Sequence, residues 1–287
     1  MNGKAARVLW ILLWALVCVV GGLGLLVSVQ GLRFERRVAR EARALWAAPG
    51  AAGAPALTPL EALPPPVRRY LEVSGAASRA PLRGVRLRHG GTFRPGGEAW
   101  LPISGVQYFS ADAPGFVWWG RVRVAPGISV GARDRSVGGE GNMHVLVSST
   151  FTLQDARGPT LDQGALLRLL GELVWLPTAL RDARYVRWEP LDAASARATL
   201  GVGGRTVTAT FHFGPDGLPA RFTAERYRDV KGEGVLTPFV GACADYREVD
   251  GLKVPFRMEA AWIVDGRERP YARFQVEQLE LDPAGPF

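Results

Sequence analysis

The chain of 287 residues is long enough for one large domain or two small ones, and 47% of its residues are hydrophobic, as expected for a packed core. Its net charge of +8 comes almost entirely from arginine. The arginines alternate with apolar residues, as in VRLRH and GRVRV, which is typical of the solvent-facing side of half-buried strands. A nucleic-acid partner is therefore not predicted. The two cysteines, at positions 18 and 243, define no disulfide framework.

Residues 8–29 form an uncharged apolar run. As a helix it would extend about 33 Å at ~1.5 Å per residue, which matches the ~30 Å hydrocarbon thickness of a bilayer. A cleaved signal peptide is the alternative, but its apolar region is usually ~7–15 residues long and precedes a small-x-small cleavage site. The sequence Ser28-Val29-Gln30-Gly31 does not provide that site. We therefore predict a single-pass transmembrane anchor within residues 1–30 and localisation in the cell membrane.

Two arguments bear on the side of the membrane on which the remaining chain lies. The positive-inside rule favours the cytoplasm, because arginines at 33, 36, 37, 40 and 43 outnumber Lys4 and Arg7 on the other flank. Long domains nevertheless cross membranes largely regardless of charge, and the arginines can bind anionic headgroups instead. An extracytoplasmic domain is predicted, mainly from the family resemblance described below.

After the anchor, residues 31–57 are predicted to form an arginine-rich juxtamembrane helix followed by an Ala/Gly/Pro linker. Residues 58–287 are predicted to form one globular domain. Thr58 and Glu61 have the spacing of a capping box, with Pro59 at the first helical position, so a short helix is expected where the domain begins.

Strands are predicted on both sides of residues 161–180. Before this segment, alternating apolar positions indicate strands at 85–89, 116–124, 128–134 and 143–153. After it, further strands are indicated at 185–189, 194–202, 206–213, 218–226, 242–249, 252–264 and 271–281. Pairs such as Asp216-Gly217 and Asp250-Gly251 favour tight hairpins between them. More than about ten strands joined by short loops predict a curled sheet rather than a flat one.

Residues 161–180 are the one long apolar segment within this β-rich pattern. Thr160 and Gln163 have capping-box spacing at its start, and Pro177 ends or kinks it. Its polar positions form only a narrow strip, so the helix has to be surrounded by protein. The predicted fold class is α+β: a strongly curved antiparallel β-sheet, or half-barrel, with a central apolar helix packed in its concavity, preceded by one N-terminal transmembrane helix.

Such a helix either packs on one sheet as a core helix or lines the hollow of a strongly curved sheet that also holds an apolar ligand, and both interpretations stay open here. Large inward-facing side chains would form the cavity wall. These are Phe116, Trp118, Val122, Met143, Val145, Leu166, Leu170, Leu173, Trp175, Trp188, Phe211, Phe222 and Trp262. The candidate polar anchors are Glu172, Arg133, Asp134 and Arg226. Because Glu172 lies one helical turn after Arg168, a simple ion pair on the helix surface is the alternative for that residue.

The sequence shows no motif for catalysis, metal binding or a cofactor. GxSxG, Walker A and HExxH are absent, and the run GGEGNM at 138–143 enters a strand rather than a helix, which predicts a hairpin loop. His89, His144 and His212 fall on three different predicted strands, and their spacing gives no reason to expect a metal site. No cofactor is predicted, and no catalytic residue is assigned.

Several motifs follow one another in a distinctive order: LPPPVRRYLEVSG at 63–75, GFVWW at 115–119, GEGNMHV at 139–145, LRLLGELVWLPTAL at 167–180 and DYREVDGLKVPFRMEAAW at 245–262. Together they resemble an uncharacterised bacterial family, a domain of unknown function often preceded by a membrane segment. The resemblance covers residues 58–283 and implies no established activity. The predicted architecture is also similar to that of the lipoprotein carriers LolA and LppX, which implies a hollow that binds acyl chains; fold alone does not fix function.

Three functions are compatible with these features. The first is a membrane-tethered module that binds an apolar ligand, a lipid or acyl chain, without catalysis. The second is an enzyme that uses Glu172, Asp134 or His144 as an acid or base in the cavity. The third is a structural or interaction domain with a solid core. The predicted partners are the membrane and an apolar small molecule.

Overall fold

The computed structural model describes residues 3–50 and 54–287. Residues 1–2 of the predicted anchor and residues 51–53 of the predicted linker lie outside the described residues. Two helices come before the sheet. The first, α1 (Gly3–Ala47), is continuous through the predicted boundary at residue 30, and the second, α2 (Pro65–Val73), is short.

Most of the chain folds into one sheet of 13 antiparallel strands. The first meander consists of β1 (Gly84–Phe93), β2 (Leu101–Ser110), β3 (Gly115–Ala125), β4 (Ile128–Val137), β5 (Glu140–Val147) and β6 (Phe151–Ala156). The second consists of β7 (Val186–Pro190), β8 (Ser195–Val202), β9 (Arg205–Phe213), β10 (Pro219–Val230), β11 (Glu233–Val249), β12 (Leu252–Val264) and β13 (Arg267–Leu281). Because β13 returns to pair with β1, the spatial order runs from β6 to β1 and then from β13 to β7.

The sheet is strongly curved. Gly138 and Gly139, in the turn between β4 and β5, lie against Val202 and Gly203 at the turn between β8 and β9. Seven strands separate these two hairpins in the order of the sheet. Their contact requires the sheet to curl back towards itself, so the predicted half-barrel is confirmed.

The helix α3 (Pro159–Glu172) connects the two meanders and lies in the concavity, where it contacts β4 and β5 on one side and β8, β9 and β10 on the other. Leu166, Leu169 and Leu170 are fully buried. A helix apolar around most of its circumference gains most from contact on several sides, which a curved sheet provides. Short 3-10 turns at Leu173–Trp175 and Pro177–Arg181 follow it, so the predicted helix at 161–180 ends earlier than expected.

The helix α1 occupies two different environments. Between Trp10 and Leu26 its large apolar side chains are exposed. By length and composition, the part of this helix from Trp10 to Ala47 is a candidate membrane span. Further along, Phe34, Val38 and Ala42 form a stripe of residues spaced by four that is buried on the outer face of the sheet. There they pack with Leu45 against Tyr108, Val117, Trp119 and Leu146.

The two predicted capping boxes are wrong. α3 begins after Gly158, which has a φ of 120° and provides no side-chain cap. Gln163 instead donates a hydrogen bond to the Glu225 carbonyl oxygen at 2.7 Å, because that residue faces β10. At Thr58 the chain forms only a 3-10 turn, Leu60–Ala62, again without a side-chain cap.

Two predicted strands also differ from the structure. The strand expected at 143–153 is divided into β5 and β6, because Ser148 and Ser149 adopt positive φ values of 47° and 55° and form a turn. The strand expected at 242–249 begins earlier, at Glu233. β2 was not predicted, since Ser104 and Gly105 interrupt its alternating pattern.

Candidate functional site

One part of the hollow is not filled by α3 and contains a cavity of about 440 Å³. Its wall is mainly apolar and aromatic and comes from both meanders. The larger lining residues are Phe93, Ile103, Trp118, Val122, Val130, Met143, Val145, Phe222, Phe239, Met258, Tyr271 and Phe274. A second cavity of about 330 Å³ opens beside Arg83, Asp112 and Asp282, and these charged side chains do not suit an apolar ligand.

The main cavity lies towards the strand ends that are joined by the turns at 126–127 and 148–150, here called the open end. Val124, Val130 and Gln154 line the cavity there. The opposite end is packed with the 3-10 turns. The Trp175 indole nitrogen donates a hydrogen bond to the Pro255 carbonyl oxygen at 2.8 Å, and the Leu82 amide donates one to Thr178 Oγ1 at 3.0 Å.

A series of aromatic rings crosses the second meander from β9 to β13. Consecutive ring centroids are 5.8, 5.9, 5.2 and 5.8 Å apart, in the order Phe211, Phe222, Phe239, Trp262 and Tyr271. Glycines make room for this series. A Cβ on Gly171 or on Gly241 would come within 2.1 Å of the Phe222 ring, so both positions require glycine.

Trp118 forms the facing part of the wall, and its orientation is fixed by a buried histidine. The Trp118 indole nitrogen donates a hydrogen bond to His89 Nε2 at 2.9 Å, and the His89 ring lies 4.3 Å from that of Phe274. Burial lowers the pKa of His89 to about 4, with the positive charge of Arg168 acting in the same direction. His89 is therefore neutral near pH 7, as its role as acceptor requires.

Arg168 projects from α3 into a cluster of polar side chains at the base of the cavity. Its guanidinium lies 2.9 Å from Glu172 Oε1 and 2.8 Å from Asp134 Oδ2, and its third contact is with Gln107 Oε1 at 3.2 Å. The Gln107 amide nitrogen in turn donates to Glu172 Oε2 at 2.6 Å. Arg168 is thus fully engaged by the protein itself.

Burial and charge act in opposite directions in this cluster. Burial raises the pKa of Glu172, while Arg168 and the Gln107 hydrogen bond oppose that shift. For Arg168, burial favours the neutral form, but the carboxylates of Glu172 and Asp134 outweigh it and raise its pKa. The guanidinium also stacks over the rings of Phe116 and Trp118, at 4.9 and 4.8 Å from their centroids.

Arg226, on β10, is the other cation in the cavity wall. Its Nε donates to the Gly164 carbonyl oxygen at 3.1 Å, and its Nη1 donates to the Tyr271 hydroxyl at 3.2 Å. Its guanidinium lies 4.9 Å from the centroid of the Phe239 ring. Within the described part of the chain it forms no ion pair, so its charge is available to a ligand.

The structure brings eight of the predicted site residues to the cavity wall. They are Trp118, Val122, Met143, Val145, Phe222, Asp134, Glu172 and Arg226. Six others belong to the buried core beside it: Phe116, Leu166, Leu170, Leu173, Trp175 and Phe211. Trp188 donates a hydrogen bond to the Leu180 carbonyl oxygen, and Trp262 packs between the rings of Phe239 and Tyr271.

The structure places Arg133 away from the cavity. Neighbouring residues of a strand point to opposite faces, so Asp134 faces the hollow and Arg133 faces α1. Its Nε lies 3.4 Å from Glu41 Oε2, and it also donates to the Asn142 side chain. Arg133 therefore joins the outer face of the sheet to α1.

The sequence reasoning missed several lining residues. Met258 and Ala260 share the face of Trp262 on the predicted strand at 252–264, and the alternating pattern could have identified them. Phe239 could not be found in this way, because the predicted strand began only at residue 242. The three histidines lie apart, and within residues 3–50 and 54–287 no cluster of His, Cys, Asp or Glu is arranged to hold a metal ion.

Comparisons with known proteins identify a family but no activity. Residues 56–274 match a family of unknown function, DUF6544, which confirms the predicted resemblance to an uncharacterised family. No curated protein matches the chain.

Similar solved structures include a LolA superfamily protein from Nitrosomonas europaea, with 13% identity and a TM-score of 0.40, where the match covers 75% of this chain and 93% of that one. A DUF1329 family protein from Desulfovibrio piger has 16% identity and a TM-score of 0.41, with 77% and 95% covered. A beta-barrel-like DUF1849 protein from Brucella abortus has 14% identity and a TM-score of 0.31, with 71% and 99% covered.

The buried His89 predicts a specific pH dependence of stability. Its pKa is about 4 in the folded chain against 6.5 when unfolded, so the folded form binds a proton less readily. The contribution of the neutral His89 to the free energy of unfolding is present above pH 6.5. It is lost as the pH falls towards 4, which lowers the free energy of unfolding by about 3 kcal/mol. Urea unfolding at pH 7 and pH 4 should show this loss in the wild type relative to His89→Gln, which retains an acceptor for Trp118.

The matched control is His212→Gln, at a half-buried position where the ring contacts Thr223 Oγ1. This variant should keep most of the wild-type pH dependence. An unchanged dependence in His89→Gln would contradict the assignment of the neutral, buried imidazole.

Proposed function

The chain belongs to the DUF6544 family of unknown function, and we propose that it binds an acyl chain or a similarly apolar ligand in the main cavity, as a module tethered to the membrane. The observation that carries this proposal is a cavity of about 440 Å³ with a mainly apolar wall. Among the described residues, Arg226 is the cation of that wall that forms no ion pair. That volume lies within the range of about 300–1,000 Å³ that is usual for ligand pockets.

The wall supplies the affinity in this proposal. Transfer of an acyl chain from water to an apolar site is favourable by about 0.8 kcal/mol for each buried CH₂. The rings of Trp118 on β3 and of Phe222 and Phe239 on the second meander provide large apolar surfaces on both sides of the hollow. Such flat, rigid surfaces suit a flexible chain that carries no polar groups along its length.

Arg226 supplies the polar contact. Its charge has no carboxylate partner in the described part of the chain, and a carboxylate or phosphate at one end of the ligand would provide one. Arg168 has a different role, because Glu172, Asp134 and Gln107 already satisfy it. We assign it to the support of the cavity floor.

The helix α1 provides the tether in this proposal. Its exposed apolar part has the length of a membrane span, and its following part is fixed to the outer face of the sheet by Phe34, Val38 and Ala42. The domain would therefore be held close to the bilayer that contains its ligand.

Two observations bear on the alternative functions. The raised pKa of Glu172 is the property that an acid or base would use, but both of its oxygens are hydrogen-bonded to Arg168 and Gln107. These bonds favour a supporting role over proton transfer. A purely structural domain would need a filled core, and the cavity favours ligand binding instead.

Photo-labelling in native membranes tests the site directly. A diazirine-bearing fatty acid should label cavity peptides from β3, β10 and β12 of the full chain. Ala132→Trp, which places an indole in the cavity, should reduce this labelling at least about tenfold, since tenfold corresponds to only about 1.4 kcal/mol. Peptide mapping by mass spectrometry provides the measurement.

The matched control is Ala193→Trp, in the exposed turn between β7 and β8. Labelling of residues 8–29 by surrounding lipid gives an internal standard in every variant. Equal cavity labelling in Ala132→Trp and Ala193→Trp would contradict the proposed site.

The proposed contact between Arg226 and the charged end of the ligand predicts selectivity for anionic ligands. Arg226→Gln should lower cavity labelling by a diazirine fatty acid at least about tenfold, because a charge-assisted hydrogen bond contributes about 1.5–3 kcal/mol. Labelling by the corresponding neutral fatty alcohol should not change. Arg221→Gln, on the opposite face of β10 in an exposed pair with Glu268, is the control. Equal loss for acid and alcohol would assign Arg226 a structural role instead.

We further propose an extracytoplasmic location for the domain. Its basis is that long domains cross membranes largely regardless of flanking charge. A C-terminal alkaline phosphatase fusion, active only outside the cytoplasm, should be active, whereas a C-terminal green fluorescent protein fusion exported in unfolded form should be dark. The reverse pattern would place the domain in the cytoplasm.

A further inference from the structure

We propose that the open end of the cavity is seated in the surface of the bilayer, so that an acyl chain passes between membrane and cavity without crossing water. This inference rests on the proposed function, and it adds the route by which the ligand enters. The surface concerned, here called the apolar rim, consists of Val124, Ile128, Phe151 and Leu153.

The apolar rim is exposed although its residues are apolar. The exposed fractions are 40% for Val124, 48% for Ile128, 64% for Phe151 and 63% for Leu153. Strand pairing places them together at the open end, since Ile128 pairs with Ala125 and Phe151 pairs with Val147. Contiguous exposed apolar surface of this kind marks a site of contact with a partner or a membrane.

The rim continues the wall of the cavity. Side chains two residues apart on a regular strand share a face, so Ile128 lies on the same side as Val130. Val124 lies at an irregular step in the pairing of β3 with β4. Val122, Val124 and Val130 all line the cavity. An apolar surface therefore extends without interruption from the interior of the cavity to the exposed strand ends.

The direction of α1 identifies what covers the rim. Leu45 lies against Gly115 at the start of β3, whereas the Phe34 ring lies 4.6 Å from that of Trp119 and Glu35 pairs with Arg121 at 2.8 Å. Followed towards its N-terminus, α1 thus runs along β3 towards the open end. The candidate membrane span leaves the domain at that end.

Distances along α1 and along β3 place the apolar run of α1 and the apolar rim at the same level. Val29, the last residue of the apolar run, is six residues from Glu35, which is about 9 Å in a helix. Val124 is three residues beyond Arg121, which is about 10 Å in a strand. The apolar part of α1 therefore begins level with the rim, and a bilayer surrounding that part would also meet the rim.

Positive charge at the level of the apolar rim supports a lipid surface as the partner that covers the rim. Arg33 and Arg36 on α1 and Arg123 on β3 are exposed near the open end. Arginines in this position attract anionic headgroups, while the apolar side chains between them enter the interface. A neighbouring protein would have to fit the same narrow space between the domain and the membrane.

Fluorescence quenching in vesicles tests the placement. The full chain with Cys18→Ser is reconstituted in phosphatidylcholine and phosphatidylglycerol vesicles, with an environment-sensitive probe on Ile128→Cys or Leu191→Cys. Cys243 is buried and does not compete for the label. Lipids brominated on their acyl chains should quench at least half of the signal at position 128. Position 191, an exposed apolar site in the turn between β7 and β8, should not be quenched.

The outcomes separate this inference from the proposed function. Quenching at position 128 should be the same in the Ala132→Trp background, because the placement of the rim does not need an open cavity. Quenching without any cavity photo-labelling in the wild type would refute ligand binding and leave the placement intact. Cavity labelling without quenching at position 128, or disulfide formation between two Ile128→Cys chains, would overturn the inference.

The route itself has a kinetic test. Time-resolved photo-labelling should show that the cavity fills from vesicles several-fold more slowly in the double variant Phe151→Ser and Leu153→Ser than in the wild type. Leu191→Ser should leave the filling rate unchanged. An unchanged rate in the double variant would overturn direct passage through the rim.

Discussion

The fold depends on a difference in length between one apolar helix and the strands of the sheet that surrounds it. α3 has 14 residues and is about 21 Å long, whereas β11 alone has 17 residues and would extend about 56 Å. The sheet curls because α3 needs apolar contact on several sides, and yet α3 covers only part of the concave face. The 3-10 turns after Glu172 fill one end, and the remaining apolar surface becomes the wall of the cavity.

The sequence revealed the helix and the curvature because both follow from local pattern. The segment 161–180 is apolar at most of its positions, and hairpin signals recur at short intervals, so the pattern predicts a curved sheet around a helix. The sequence did not reveal where the helix would stop. That boundary decides whether an inward-facing residue such as Phe116 is core or cavity wall, and it depends on packing between distant strands.

The pairing register of the strands explains other differences between the sequence-based predictions and the structure. Arg133 and Asp134 are neighbours in sequence, and only the pairing of β4 determines that the aspartate faces Arg168 while the arginine faces Glu41. α1 shows the same principle, since its stripe of Phe34, Val38 and Ala42 is interspersed with arginines. Composition predicts only an arginine-rich juxtamembrane helix, whereas in the structure the four-residue spacing buries that stripe against the sheet. The two arginines of the cavity also differ, because Arg168 pairs with carboxylates whereas Arg226 forms no ion pair within the described residues. Only the three-dimensional structure distinguishes them.

The most direct test of ligand binding in the main cavity is a density map of the full chain purified without added lipid. If an acyl chain occupies the cavity, the map should show elongated density between the rings of Trp118 and Phe239, with its polar end within hydrogen-bonding distance of Arg226. A cavity closed by inward movement of those side chains, or one containing only separate water molecules, would contradict ligand binding there.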